Sequence, residues 1–105
     1  IINKLKKDGT IAGYAASAKG NVLLNYCGFT SKDIKYVVDD NEDKQGKFIP
    51  GTDIPVVSRE SLKEDKPKYL FILSWNIKDD IIKKTEDYKK GGGRYIWAMP
   101  KIEVV

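Results

Sequence analysis

The chain has 105 residues, enough for one compact domain and too few for two. Hydrophobic residues make up 41% and charged residues 32%, the balance of a globular protein and not of a disordered one. Net charge is +4 and histidine is absent, which removes the commonest general base, the usual zinc ligand and every Ser-His or Cys-His dyad.

The single cysteine, Cys27, excludes an internal disulfide and a cysteine-rich metal cluster. It is expected to be a small buried hydrophobe beside Tyr26. No apolar run approaches the roughly 20 residues that span a bilayer. The opening Ile1-Ile2-Asn3-Lys4-Leu5-Lys6-Lys7 is too short and too charged for a signal peptide. No membrane partner is expected, and the expected location is the cytoplasm. The lysines at 4, 6 and 7 and at 83, 84, 89 and 90 are interrupted by acids or apolar residues, the pattern of solvated helix faces. Zinc-finger, RNP and basic-zipper signatures are absent, so no nucleic-acid partner is expected. The chain opens without Met and inside a helical pattern, so it is expected to be a piece of a longer protein.

Ile1 to Asp8 fits the end of an amphipathic helix, and Asp8-Gly9 a turn. Thr10 to Tyr14 reads as a first strand, apolar throughout because both faces are covered. Ala18 to Cys27 follows as a helix, with Val22, Leu23, Tyr26 and Cys27 toward one apolar side and Gly28 as its left-handed stop. Thr30 and Asp33 form a candidate capping box. Ile34 to Asp39 is the second strand. Asp39 to Asp53 has little periodicity, and loops of that length are often functional. Ile54 to Val57 is a short strand whose Pro55 points to a sheet edge. Ser58 is the expected N-cap of a helix reaching about Asp65 and ended by Pro67. Tyr69 to Leu73 is the strongest strand. Asn76 and Asp79 resemble a capping box, with Ile77, Ile81 and Ile82 as the apolar face of the next helix. Gly91-Gly92-Gly93 breaks the chain before a strand over Arg94 to Ala98, and Ile102 to Val105 ends it as a short strand.

Strands alternating with helices predict a three-layer, Rossmann-like α/β domain with a mainly parallel sheet of about five strands flanked by helices. Ligands of such sheets bind beyond the carboxyl ends of the strands. The segments at that edge are Tyr14 to Asn21, Asp39 to Thr52, Ser74 to Asn76 and Met99 to Lys101.

Gly13 to Gly20 is neither G-x-G-x-x-G, because position 15 is Ala, nor a P-loop, because Lys19 precedes Gly20. Ser17, Lys19, Gly20 and Asn21 suit an anion at a helix start. Close packing of a strand-to-helix turn explains the same small residues. Asp39 stands where a Rossmann acid meets a ribose hydroxyl, and also where an ordinary acid starts a turn. Lys44, Lys47 and Phe48 suit an anionic ligand with a ring to stack, or a crossover loop tied down by Phe48 and Ile49. Trp75 either stacks on a base or sugar or caps the core, and Trp97 reads as core.

Gly13-Tyr14-Ala15-Ala16-Ser17-Ala18-Lys19-Gly20-Asn21, Leu24-Asn25-Tyr26-Cys27-Gly28, Tyr36-Val37-Val38-Asp39-Asp40-Asn41, Lys44-Gln45-Gly46-Lys47, Pro50-Gly51-Thr52, Ile54-Pro55-Val56 and Leu73-Ser74-Trp75-Asn76 stand in order along the chain. Together they resemble the C-terminal domain of nucleotide-sugar C-methyltransferases. Family members often read Arg-Asn-Pro-Tyr where this chain has Asp40-Asn41-Glu42-Asp43, which makes the turn more acidic. The resemblance implies a parent enzyme with a zinc-binding region and an S-adenosylmethionine-binding domain. It would methylate a ring carbon next to a keto group, on a sugar linked to a nucleoside diphosphate. This domain would bind neither zinc nor S-adenosylmethionine and would have no activity alone. It would contact the sugar nucleotide and the remaining domains of the parent. Position at the strand edge gives Lys19, Asn21, Lys44 and Lys47 to the diphosphate, and Asp39, Phe48, Trp75 and Asn76 to sugar or base. The alternative is a degenerate Rossmann module that only packs against neighbouring domains.

Overall fold

A computed structural model describes residues 7–15, 18–73, 78–97 and 103–104. The sheet has six strands in the order β3-β2-β1-β4-β5-β6: β1 Ile11–Tyr14, β2 Val37–Val38, β3 Val56–Val57, β4 Tyr69–Ile72, β5 Arg94–Trp97 and β6 Glu103–Val104. Every pairing from β3 to β5 is parallel, and β6 lies antiparallel against β5. The helices are α1 Ala18–Tyr26, α2 Glu60–Asp65, α3 Lys78–Lys84 and α4 Glu86–Lys90. The expected α/β, mainly parallel, Rossmann-like architecture is therefore present, with the antiparallel β6 added at one edge.

Side-chain alternation along the strands divides the core in two. On one face, Ile11, Val37, Val56, Tyr69, Phe71, Leu73 and Ile96 pack with Leu24 of α1 and with Ile34, Ile49 and Ile54 from the crossovers. On the other, Ala12, Tyr14, Val38, Leu70, Ile72 and Tyr95 pack with Leu62 of α2 and Ile81 of α3. Because β1 and β4 are covered on both sides, they read in sequence as unbroken apolar runs. Gly13 belongs to the first face, where a Cβ would sit 3.1 Å from Val37 Cγ2 and 3.2 Å from Leu73 Cδ1. Close packing thus accounts for this glycine of the β1–α1 segment.

Two local expectations are corrected. Of the apolar residues of α1 and the turn that follows it, Leu24 is fully buried, whereas Val22, Tyr26 and Cys27 are exposed and Leu23 is half-buried. The core therefore takes a different line of the helix than Val22–Tyr26–Cys27. Ser58 does not cap α2 with its side chain. Arg59 already has helical dihedrals (φ −62°, ψ −21°), and the carbonyls of Ser58 and Arg59 accept from Ser61 and Leu62. Gly28 does stop α1 as expected: its φ is +69°, and the Phe29 amide bonds back to the Leu24 carbonyl at 3.0 Å. Thr30 and Asp33 also meet, the Thr30 amide donating to Asp33 Oδ2 at 3.1 Å. The expected Asn76–Asp79 cap, Ile77 and the Trp97 side chain lie outside the described residues.

Candidate functional site at the carboxyl edge of the sheet

The strands β1, β2 and β4 deliver Ala15, Asp39 and Leu73 to one edge, locked by backbone bonds from Ala15 to Val38 (2.7 Å), Asp39 to Val57 (3.0 Å) and Leu73 to Tyr14 (3.0 Å). Ala15 has φ +74°, a left-handed conformation that costs a residue with a Cβ about 1–2 kcal/mol. The chain accepts this strain to turn sharply from β1 into α1. In the turn that follows, the Ser17 and Lys19 side chains lie outside the described residues. Gly20 is buried, and Asn21 is half-buried at the start of α1. Its Oδ1 is sealed from water and has no hydrogen-bond partner among the described residues. A buried acceptor left this way is short of one donor.

The long crossover between β2 and β3 is folded, not loose. Asp39 Oδ1 accepts from the Asn41 amide at 2.8 Å, and Gln45 Nε2 donates to the Asp39 carbonyl at 2.8 Å. Lys44 Nζ stands 4.0 Å from Asp39 Oδ2. Residues 46–49 then return antiparallel to β3 through Gly46 to Val56 (2.9 Å), Val56 to Lys47 (2.7 Å) and Ile49 to Ile54 (2.9 Å). This covers an edge strand that would otherwise offer open amides. Gly46 and Gly51, at φ +82° and +79°, make the two turns. Asn25 of α1 holds the tip, donating from Nδ2 to the Pro50 carbonyl at 2.9 Å. Ile49 is fully buried, but Phe48 is 62% exposed. Ile49 therefore anchors the loop, and Phe48 is presented to solvent with the exposed Lys47 beside it.

A second polar group sits on the rim facing α2 and α3, and sequence reasoning missed it. The Tyr14 hydroxyl donates to Asp40 Oδ2 at 2.7 Å. Arg59 Nε and Lys84 Nζ approach the same carboxylate at 3.8 and 3.5 Å, and Lys84 also reaches Asp80 at 3.0 Å. Burial, then the Asp40 carboxylate, pushes the Tyr14 hydroxyl well above its ordinary pKa. One signal was legible: Tyr14 and Asp40 both end segments that run to this edge. A concavity of about 1050 Å³ opens from this rim between α2 and α3–α4. Arg59, Lys63 and Lys66 form one wall, and Lys84, Asp87 and Tyr88 the other. Among the described residues, Gly20, Asn21, Asp39, Lys44, Lys47 and Phe48 do not line it. Of the ten residues singled out from the sequence, the structure brings Asp39 and Lys44 together and sets Lys47 and Phe48 on the same locked loop, with Gly20 and Asn21 at the neighbouring helix start. Ser17, Trp75, Asn76 and the Lys19 side chain lie outside the described residues.

Among the described residues, no group of three or more acidic, cysteine or histidine side chains could hold a metal ion. No helix there is long and apolar enough to cross a membrane.

A parallel sheet in this order, with crossovers on both faces, defines the doubly wound class of α/β domain. Within that class the chain belongs to the family of C-methyltransferase C-terminal domains, whose model matches residues 1–100. It is also similar to the C-methyltransferase NovU of Streptomyces niveus, 36% identical over 106 residues. The match takes in 100% of this chain and 25% of NovU, so the chain spans about a quarter of that relative's length.

Proposed function

We propose that this domain supplies the sugar-nucleotide side of the active-site cleft of an S-adenosylmethionine-dependent C-methyltransferase acting on a keto sugar linked to a nucleoside diphosphate. One observation carries the reading: an aromatic side chain, Phe48, is 62% exposed on a loop pinned by Asn25, Gln45 and buried Ile49. A ring held open to solvent by a rigid loop is ready to stack on a base, and stacking of that kind contributes about 1–3 kcal/mol per base. Lys44 and Lys47 flank it with positive charge for a diphosphate.

The residues divide the work by chemistry. Lys19, Asn21, Lys44 and Lys47 hold the diphosphate, Ser17 and the amides around Gly20 meet the same anion at the helix start, and Asp39, Phe48, Trp75 and Asn76 meet sugar or base. Asp39 contributes first by ordering the turn that carries Lys44. The methyl donor and zinc would be held by other parts of the parent enzyme, and methyl transfer would need them.

Calorimetric titration with dTDP, UDP, GDP and CDP tests the reading. One nucleotide should bind, and Phe48→Ala should weaken it by about tenfold or more. Undiminished binding by Phe48→Ala, or no binding at millimolar nucleotide, would count against it.

A further inference from the structure

The apolar residues of α1 do not match its burial. Val22, Leu23, Tyr26 and Cys27 recur at helical spacing and share one side of the helix. The sheet takes Leu24, from the neighbouring line, into its core, and Leu23 is half-buried against the same cluster. Val22 is left 69% exposed, Tyr26 89% exposed and Cys27 exposed, with Leu23 half-buried beside them. Val22 and Tyr26, with Phe48 of the β2–β3 loop, are the large hydrophobics exposed among the described residues. Val22 and Tyr26 lie one helical turn apart with Cys27 next to Tyr26, so the three exposed side chains form one short apolar stripe.

We propose that this stripe is the docking surface for the polypeptide that precedes this domain in the full-length enzyme, and that an apolar face of that polypeptide covers Val22, Tyr26 and Cys27. The matching family is a C-terminal domain, and the chain accounts for 25% of its relative NovU, so most of such an enzyme lies before it. Size favours the same occupant over a second copy. A tyrosine buries about 150–250 Å², so this short stripe stays well below the roughly 800 Å² per partner of a stable free association. A covalently linked segment needs no such area, because its effective concentration is on the order of millimolar. The stripe lies on α1, away from the groove between α2 and α3–α4.

Cys27, the chain's one cysteine, gives a direct readout. Its alkylation by N-ethylmaleimide, followed by peptide mass spectrometry, is compared in two proteins. One is the 105-residue chain, and the other a longer polypeptide in which residues 1–105 follow the preceding region. Cys27 should react as an open thiol in the short chain at every concentration, and about tenfold or more slower in the long one. Val22→Ser with Tyr26→Ser should restore the fast rate in the long protein while leaving the thermal midpoint of the short chain unchanged. Three results would overturn the proposal. Equal rates in the two proteins would leave the stripe uncovered. Protection that grows with concentration of the short chain would give it to a second copy. Protection that survives the double substitution would mean that Cys27 is covered by some other contact.

Discussion

Gly51→Ala should unlock the loop that presents Phe48. Gly51 sits at φ +79°, where an added Cβ costs about 1–2 kcal/mol. That Cβ would also overlap Asn25 Oδ1. The Asn25 side chain can swing away only by giving up its bonds to the Pro50 and Asn21 carbonyls, at 2.9 and 2.8 Å. Each bond contributes about 0.5–1.5 kcal/mol, and exposure puts both at the low end. The smaller entropy of the unfolded alanine chain offsets about 0.4–1 kcal/mol. The net loss is about 1–3 kcal/mol, read from urea unfolding as a lower midpoint at unchanged slope. Asn25→Ala removes the same bonds and relieves the overlap. The double variant should therefore lose about 0.5–1.5 kcal/mol less than the two single losses added together. Strict additivity, or a Gly51→Ala protein as stable as the parent, would refute the coupling of α1 to the loop.

Leu24→Ala should cost about 2–5 kcal/mol, because the side chain is fully buried, whereas Val22→Ser should stay within about 0.5 kcal/mol; equal losses would mean that the core takes the other side of α1. Asp8 is hydrogen-bonded by Lys68 Nζ at 2.7 Å and by the Tyr69 hydroxyl at 2.6 Å, and these two partners hold its carboxyl below the ordinary 3.8. A depressed carboxyl stabilises the fold fully above the unfolded value and loses that contribution as pH falls below it. The thermal midpoint of the parent should therefore exceed that of Asp8→Asn at neutral pH, with the gap closing in acid; a gap that widens on acidification would reverse the sign. Substituting Lys44 and Lys47 together by Ala should weaken nucleoside diphosphates more than the parent nucleosides, since those charges are assigned to phosphate; calorimetry giving equal loss for both would deny them that role.

The central strands were legible because a doubly covered parallel strand has no polar side to confuse the pattern: Ile11 to Tyr14 and Tyr69 to Leu73 are apolar at nearly every position. The β2–β3 crossover was legible only as a loop. Its return along β3 rests on backbone bonds at Gly46, Lys47 and Ile49, and the glycines and Pro50 of that stretch hide any strand periodicity. The misread face of α1 has a different cause. Helical spacing grouped Val22, Leu23, Tyr26 and Cys27, but the structure packs Leu23 against the core and leaves the other three exposed, because spacing does not say which surface covers a group. At the site, the sequence singled out Asp39 and Lys44 but gave them to different parts of a ligand, and their approach to each other depends on the folded turn. The locks supplied by Asn25 and Gln45, and the meeting of Tyr14, Arg59 and Lys84 on Asp40, join residues 6 to 44 positions apart and depend on the completed fold.

Mapping amide shifts by NMR while the chain is titrated with the four nucleoside diphosphates tests the central claim most directly. The account expects shifts clustered at residues 17–21, 39–52 and 74–76, strongest for one base. Shifts confined to the groove walls around Arg59, Lys63 and Tyr88, or none at millimolar ligand, would contradict it.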